Sequence, residues 1–346
     1  MGFVIEGGGM VKVGFIGTGG IAQYHLSKLV NIKDVKLVAM CDVNEERAKK
    51  AGEDYKCPYY TDYKEMFKKE KMDACYICLP PFAHEEQETI ACEKGINIFV
   101  EKPIALSMEK AKEVIEAIKK NKIVSAAGYQ DRYLDIIDRL KQLLKGKKVG
   151  IVLGYWMGGF PMVYWWREKK LSGGQAVEQT THIFDMMRNL FGEVEEVYAQ
   201  GTSGIMNVKV EKCDIEDASA VTLKFKSELV ATIFSADFLD YPGKAGLDIF
   251  CEGFSIEYQE RKSIKIIEPG RHEFIAVAND PGMVENEIFI EAVKTGDASK
   301  IRSPYEDAAK SLEVTLAANE SMKTGKPVKV PYFNIKEAFC KDILDK

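Results

Sequence analysis

Glu178, His182 and Asp185 stand four and three positions apart. On one continuous helix this spacing puts all three on a single face. A carboxylate near an imidazole stabilises the protonated ring, which suits a base that takes the proton of a hydroxyl. The same residue types also bind metals. However, H-E-x-x-H is absent and no further ligand stands nearby, so no metal is expected. A solvated polar face is the bland alternative, but Ile183, Phe184, Met186 and Met187 mark a buried helix. Gly173-Gly174 just before it permits a tight entry. Lys102, in Val-Glu-Lys-Pro, follows the apolar run 96–100. The carboxyl end of a parallel strand is where open sheets bind ligands, so Lys102 is placed to reach a cleft.

Two glycine clusters compete as a phosphate cradle. Gly7-Gly8-Gly9 precedes the first apolar strand and has no helix N-terminus to offer, so residues 1–10 read as a flexible extension. Gly17-Thr18-Gly19-Gly20-Ile21-Ala22 is G-x-G-x-x-A; it follows a strand and opens a helix. Gly17 allows the tight turn and Gly19 lets the backbone approach a pyrophosphate. The next helix supplies free N–H groups and a favourable dipole. Asp42 closes the following strand, where it accepts from an adenosine ribose and repels a 2′-phosphate. No Arg follows it directly, so NAD is expected in preference to NADP.

Other candidates carry weaker signals. His25 lies on the first crossover helix and reads as packing or as capping polar atoms, and His272 as a surface turn. Trp165, Trp166 and Arg167 precede the His182 helix, as a platform for a sugar ring or as an interdomain plug. Gln130 and Arg132 fall at the domain junction, to touch substrate or to hold the domains together. Cys75 and Cys78 fit C-x-x-C but sit in an apolar strand, where positions three apart point to opposite faces. With no second such pair, they read as buried reduced thiols.

The elements that position these residues change character along the chain. From residue 11 to 128, strands at 11–16, 35–41, 74–79, 96–100 and 123–127, with a weaker one near 58–60, alternate with helices at 21–30, 45–53, 63–69, 83–94 and 108–120. This is the grammar of a parallel, doubly wound α/β Rossmann sheet covered on both faces. Beyond it come a helix at 133–144, a strand at 149–157 and a helix at 176–190. Alternating strands come next, with turns at 226–228 and 252–253, then helices at 285–294 and 305–324. Residues 129–346 therefore read as an α+β domain on a predominantly antiparallel open sheet. Its strands expose Val, Ile and Phe on a second face, which predicts a homo-oligomer, dimer or tetramer.

The chain has 346 residues and a net charge of -5, with acidic and basic residues mixed. That argues against a nucleic-acid footprint. No apolar run nears the roughly 18–20 residues that span a bilayer, and no signal peptide is visible. A cytoplasmic enzyme or binding protein is expected.

Taken together, Gly17–Ala22, "DACYICLPPFAH", "EKP" at 101–103, "AGYQDRY" at 127–133, "SGGQAVEQTTHIFDMMRNLFG" at 172–192, "EAVKTGD" at 291–297 and the segment 303–330 resemble the Gfo/Idh/MocA oxidoreductase family. The resemblance runs from about residue 11 to 330. It implies a Rossmann domain and a second domain whose sheet packs on another subunit. The family's EKP lysine falls on Lys102, which positions nicotinamide and substrate hydroxyls. Leu79, Pro80, His84 and Glu101 fall on positions lining the cofactor. The family's D-x-x-x-H falls on Glu178 and His182, a departure from Asp that predicts a changed hydrogen-bond partner. The implied activity is NAD-dependent hydride transfer at a hydroxyl carbon of a sugar, polyol or inositol. Lys102, Gln130, Trp166, Arg167, Glu178 and His182 would meet the substrate. The alternatives are a non-catalytic NAD or sugar sensor, and an enzyme that cycles tightly bound NAD during elimination or glycoside cleavage.

Overall fold

The computed structural model describes residues 9–331. Most of the expected N-terminal extension and Cys340 lie outside them. The first sheet runs β1 (Val11–Ile16), α1 (Gly20–Leu29), β2 (Val35–Cys41), α2 (Glu45–Tyr55), β3 (Tyr59–Tyr60), α3 (Tyr63–Lys69), β4 (Ala74–Ile77), α4 (Gln87–Glu93), β5 (Asn97–Val100), α5 (Met108–Asn121) and β6 (Ser125–Ala127). Its strand order is β3-β2-β1-β4-β5-β6, with every pair parallel. The order reverses between β1 and β4, which opens a crevice at their carboxyl ends. Apolar residues fill both faces. Tyr76 stacks between Phe15 and Phe99 on one side, while Ile77, Ile98 and Val100 pack on the other. Cys75 and Cys78 belong to these opposite cores, as their spacing predicts.

The rest of the chain adds α6 (Asp135–Leu144), β7 (Val149–Met157), α7 (Lys169–Ser172), α8 (Gln175–Glu178), α9 (Thr181–Phe191), β8 (Val194–Thr202), β9 (Ala218–Phe225), β10 (Val230–Ala236), β11 (Lys244–Cys251), β12 (Phe254–Gln259), β13 (Ser263–Glu268), β14 (Arg271–Ala276), α10 (Pro281–Thr295), α11 (Tyr305–Thr324) and β15 (Val328–Lys329). Nine strands form one mixed sheet, β14-β13-β12-β11-β7-β10-β9-β8-β15. Only β7 and β10 pair in parallel within it among the described residues. Alternation buries Val221, Leu223, Ile233 and Ile249 against Ile183, Phe184 and Met187 of α9. Ile151, Val230, Phe234 and Phe250 on the other face remain about two-fifths exposed.

α10 and α11 return to the first sheet. Phe289, Ile290 and Val293 join the core of Phe15 and Leu26, while Tyr305 and Leu312 join that of Ile77 and Val100. Val314 and Ala318 on α11 pack on the second sheet, so this helix locks the two layers together.

Three expected helices are corrected. The segment 83–94 divides into a 3-10 turn at Pro81–Ala83 and α4. The one at 133–144 starts at Asp135, after a 3-10 turn at Gln130–Tyr133. The segment 176–190 is not one helix. Glu178 ends α8, and the Gln175 carbonyl accepts from the N–H groups of both Gln179 and Thr180. This i→i+5 widening is a π-type irregularity, a feature frequent at functional sites. One extra residue in a turn rotates the helix before it by about 100° relative to the helix after it.

Candidate active site

The glycine turn is built as its sequence requires. Gly17 has φ +84°, and a Cβ there would lie 2.2 Å from the Cys78 carbonyl oxygen, so only glycine fits. A Cβ at Gly19 or Gly20 would meet nothing within 4 Å. Asn44, Asp62, Ser107 and Asp280 cap α2, α3, α5 and α10 with their side chains. Gly19 caps α1 without one, so the first N–H groups of α1 stay free to receive an anion. Asp42 is buried at the end of β2. Its carboxylate accepts from the Thr18 N–H at 3.0 Å, the Thr18 hydroxyl at 3.1 Å and the Asn44 N–H at 2.9 Å. A carboxylate has about four acceptor sites, which leaves roughly one for a ribose hydroxyl. Ile21 is exposed and lines, with Gly20, Tyr24, Gln130, Arg261 and Asn279, a cavity of about 420 Å³. Leu79 approaches Gly17, with Pro80 half-buried beside it. A dinucleotide fits this turn: its glycines leave the space, and its helix end leaves the donors, that a pyrophosphate takes.

Lys102 crosses from the end of the first sheet to the second layer. Its Nζ donates to the Glu178 carbonyl at 2.8 Å and to Glu178 Oε1 at 3.2 Å. Glu101 beside it is buried, with Oε1 2.7 Å from His25 Nε2, and accepts the Lys102 N–H. His182 opens α9. Its ring stacks on Trp156 and meets the edge of Tyr129. A Cβ on Gly154 would strike Ile183 and Met187, so this glycine lets α9 sit close on β7 and brings His182 to Trp156.

The expected Glu178–His182–Asp185 face is not formed. Glu178 turns to Lys102, and Asp185 makes a bidentate pair with Arg132 at 2.6 and 2.7 Å. The carboxylate near His182 is Asp131, with Oδ2 3.8 Å from Nδ1. Burial pushes the imidazole pKa well below its ordinary value. Asp131 opposes that shift, and Lys102 and Arg261 add to it. The ring is therefore neutral at pH 7, a free base, where the sequence reading expected a carboxylate to favour the charged form.

The chain matches the family described as "Oxidoreductase family, NAD-binding Rossmann fold" over residues 11–129, and the "GFO/IDH/MocA C-terminal domain" over residues 137–257. It belongs to the GFO/IDH/MocA oxidoreductase family. Myo-inositol 2-dehydrogenase of Thermotoga maritima is 28% identical over 337 residues, spanning 92% of this chain and 98% of the relative. scyllo-Inositol 2-dehydrogenase (NAD(+)) of Bacillus subtilis is 25% identical, spanning 95% and 98%. Levoglucosan dehydrogenase, solved with NADH and L-sorbose, has the same fold: TM-score 0.82 at 18% identity, covering 94% of this chain and all of that one.

Within this family member, several expected site residues lie elsewhere. Trp166 is only 1% exposed, so it is a plug and presents no face to a sugar ring. Arg167 turns toward the Glu211 carbonyl, at 3.5 Å. Arg132 ties the layers together, pairing with Asp185 and also with Asp307 at 2.7 Å. Gln130 accepts from the Tyr24 hydroxyl at 2.9 Å on the cavity wall, on the side of Gly20. His84 is buried at the start of the α4 segment, its Nδ1 bonded to the equally buried Glu88. Tyr133 is buried and bonded to Ser303 and the Arg302 N–H. His25 caps polar atoms, with Nε2 on Glu101 and Nδ1 on Asn286, whereas His272 lies in β14 and not in a turn.

The sequence reading missed Asp131, Glu260, Arg261 and Glu285. Arg261 Nε is 2.5 Å from Asp131 Oδ1, and its Nη2 is 3.4 Å from Glu260 Oε1. Burial and the Asp131 charge push the Glu260 carboxyl up to about 8. Burial, with Glu101 and Asp131, drives Glu285 well above its ordinary value. Only Asp131 gave any signal, as an acid between the two junction residues that were singled out.

Proposed function

We propose that this oxidoreductase moves a hydride between NAD and a hydroxyl carbon of a sugar, polyol or inositol. One observation supports the reading: a buried His182, whose pKa burial holds well below its ordinary value, lies within electrostatic reach of Lys102, which follows the carboxyl end of β5 in the same sheet as the Gly17 turn. Asp131 occupies the Nδ1 side of the ring, so Nε2 is the nitrogen left to take the hydroxyl proton. Lys102 donates to the substrate oxygen and opposes the negative charge that develops as that proton leaves. Glu178 holds Lys102 in place through its carbonyl and carboxylate. Nicotinamide, when bound, supplies the hydride acceptor. The inositol and sugar chemistry of the relatives named above supports the substrate class.

NAD in preference to NADP follows from the Asp42 charge. A homo-oligomer built on the exposed face of the second sheet follows from its apolar Ile151, Val230, Phe234 and Phe250. No helix among the described residues is long and apolar enough to cross a membrane. A cytoplasmic enzyme remains our reading. The division into a cofactor domain at 11–128 and a substrate domain at 129–346 is proposed with α10 and α11 serving both. The deciding test is a panel of inositols, aldoses and sugar nucleotides read by NADH absorbance. Turnover of none of them, with NAD bound, sinks the dehydrogenase reading in favour of a sensor. Light scattering at micromolar concentration tests the oligomer, and a monomer counts against it.

A further inference from the structure

Asp131 sits where no helix spacing would place a partner for His182. It belongs to the 3-10 turn after β6, and His182 to α9, so only tertiary packing joins them. Both side chains are buried, at 5% and 6% exposure. Asp131 divides its two oxygens: Oδ1 takes Arg261 Nε at 2.5 Å, while Oδ2 faces His182 Nδ1 at 3.8 Å. That nitrogen is buried and has no hydrogen-bond partner among the described residues. A contact of 3.8 Å acts through charge, and a closure of about 0.8 Å makes it a hydrogen bond. Such contacts are often long until ligands bind.

Resting on the proposed role of His182 as base, we infer that Asp131 is its positioning residue, holding the Nδ1–H tautomer and opposing the imidazolium charge, with Arg261 and Glu260 fixing the charge of Asp131. The neutral ring carries its proton on Nδ1, toward Oδ2. With nicotinamide bound to accept the hydride of the substrate carbon, Nε2 would take the hydroxyl proton, and the resulting imidazolium would face Asp131. The charged and titratable groups facing the ring are Asp131, Lys102, Arg261 and Tyr129; Glu260 acts on it through Asp131. Burial acts to raise the Asp131 pKa, but Arg261 opposes it through its charge and its hydrogen bond, and the carboxyl stays below its ordinary value. This division of labour gives the family's D-x-x-x-H position a different task here. Glu178 serves Lys102, and the carboxylate for the histidine comes from the other layer.

The chain has only four histidines, so nitrogen-15 labelling of its imidazoles resolves His182 by difference against His182→Asn. The full-length protein at pH 7.5 should show a protonated Nδ1 and a bare Nε2. Asp131→Asn should shift signal toward the other tautomer, and Asp131→Glu should restore it. With a substrate found by the panel, Asp131→Asn should lower kcat by about tenfold or more and leave KM within about threefold. Its acidic limb should move down, because the carboxylate that raises the His182 pKa is gone. Added to His182→Ala, Asp131→Asn should lower kcat no further, since a residue that acts only through another has nothing left to act on. An unchanged tautomer in Asp131→Asn, with His182→Ala inactive, overturns the Asp131 role alone. Activity surviving His182→Ala overturns the base reading and this inference with it, whatever the tautomer. If Asp131→Asn fails to fold, Arg261→Gln, which frees Asp131 Oδ1, must still alter the His182 signals; no change overturns the proposal.

Discussion

The Gly17 turn and the surroundings of His182 are built in opposite ways. The Gly17–Ala22 turn is one contiguous strand–turn–helix, and its shape follows from φ +84° at Gly17 and an uncapped α1. The surroundings of His182 come from separate segments: Lys102, Tyr129 and Asp131, Trp156, Glu178, and Arg261. A contiguous cradle makes binding depend on local backbone geometry. An assembled pocket makes chemistry depend on how two sheets are docked. Substitutions should therefore separate binding from chemistry along this line.

The largest effect should come from His182→Ala: a kcat lower by about 10²–10⁴, with NAD affinity nearly unchanged in a titration. Turnover within about threefold of the parent protein breaks the contrast, since the typical loss starts near a hundredfold. Lys102→Ala should be next. It stands between the two sides, so kcat should fall and KM rise together in steady-state kinetics; loss in KM alone would reduce it to a binding residue. Gly17→Ala should act on the other side only. The left-handed backbone costs a non-glycine residue about 1–3 kcal/mol, and the Cβ would also meet the Cys78 carbonyl. The melting temperature and NAD affinity should both drop, while kcat at saturating NAD stays within a few-fold. Asp42→Ala should narrow the NAD over NADP preference, by roughly tenfold if about 1.4 kcal/mol of repulsion is removed. Equal or tighter NADP binding in the parent protein removes Asp42 from this role.

The smallest expected effect sharpens the comparison most. Glu178→Gln should leave the acidic limb of the pH–rate profile in place, because its carboxylate faces Lys102 and not His182. The expected change is a modest loss in kcat through a less well held Lys102. A downward move of that limb would return Glu178 to the histidine and restore the single helix face that the sequence spacing implies.

Much of this protein was determined by sequence alone, wherever the deciding interactions are local. Strand–helix alternation specified the first sheet, because a βα unit buries its apolar faces in a fixed period. Gly17 and Gly19 specified the tight turn before α1, because backbone conformation and capping are decided within a few residues of one another. Alternating runs with turns at 226–228 and 252–253 specified the hairpins β9–β10 and β11–β12. His182 and Lys102 were legible as candidates for the proposed chemistry, but the partners the structure gives them were not. The i, i+4 rule presumes 3.6 residues per turn, and the widened turn at 175–180 breaks that presumption between Glu178 and His182. Trp166 was open to two readings, platform or plug, until burial took its face away. Asp131 and Arg261 lie 130 residues apart, and nothing in either local sequence announces a pair. Their meeting was decided by the docking of the β12–β13 turn against the end of the first sheet, where burial makes an unpaired carboxylate too costly to leave alone.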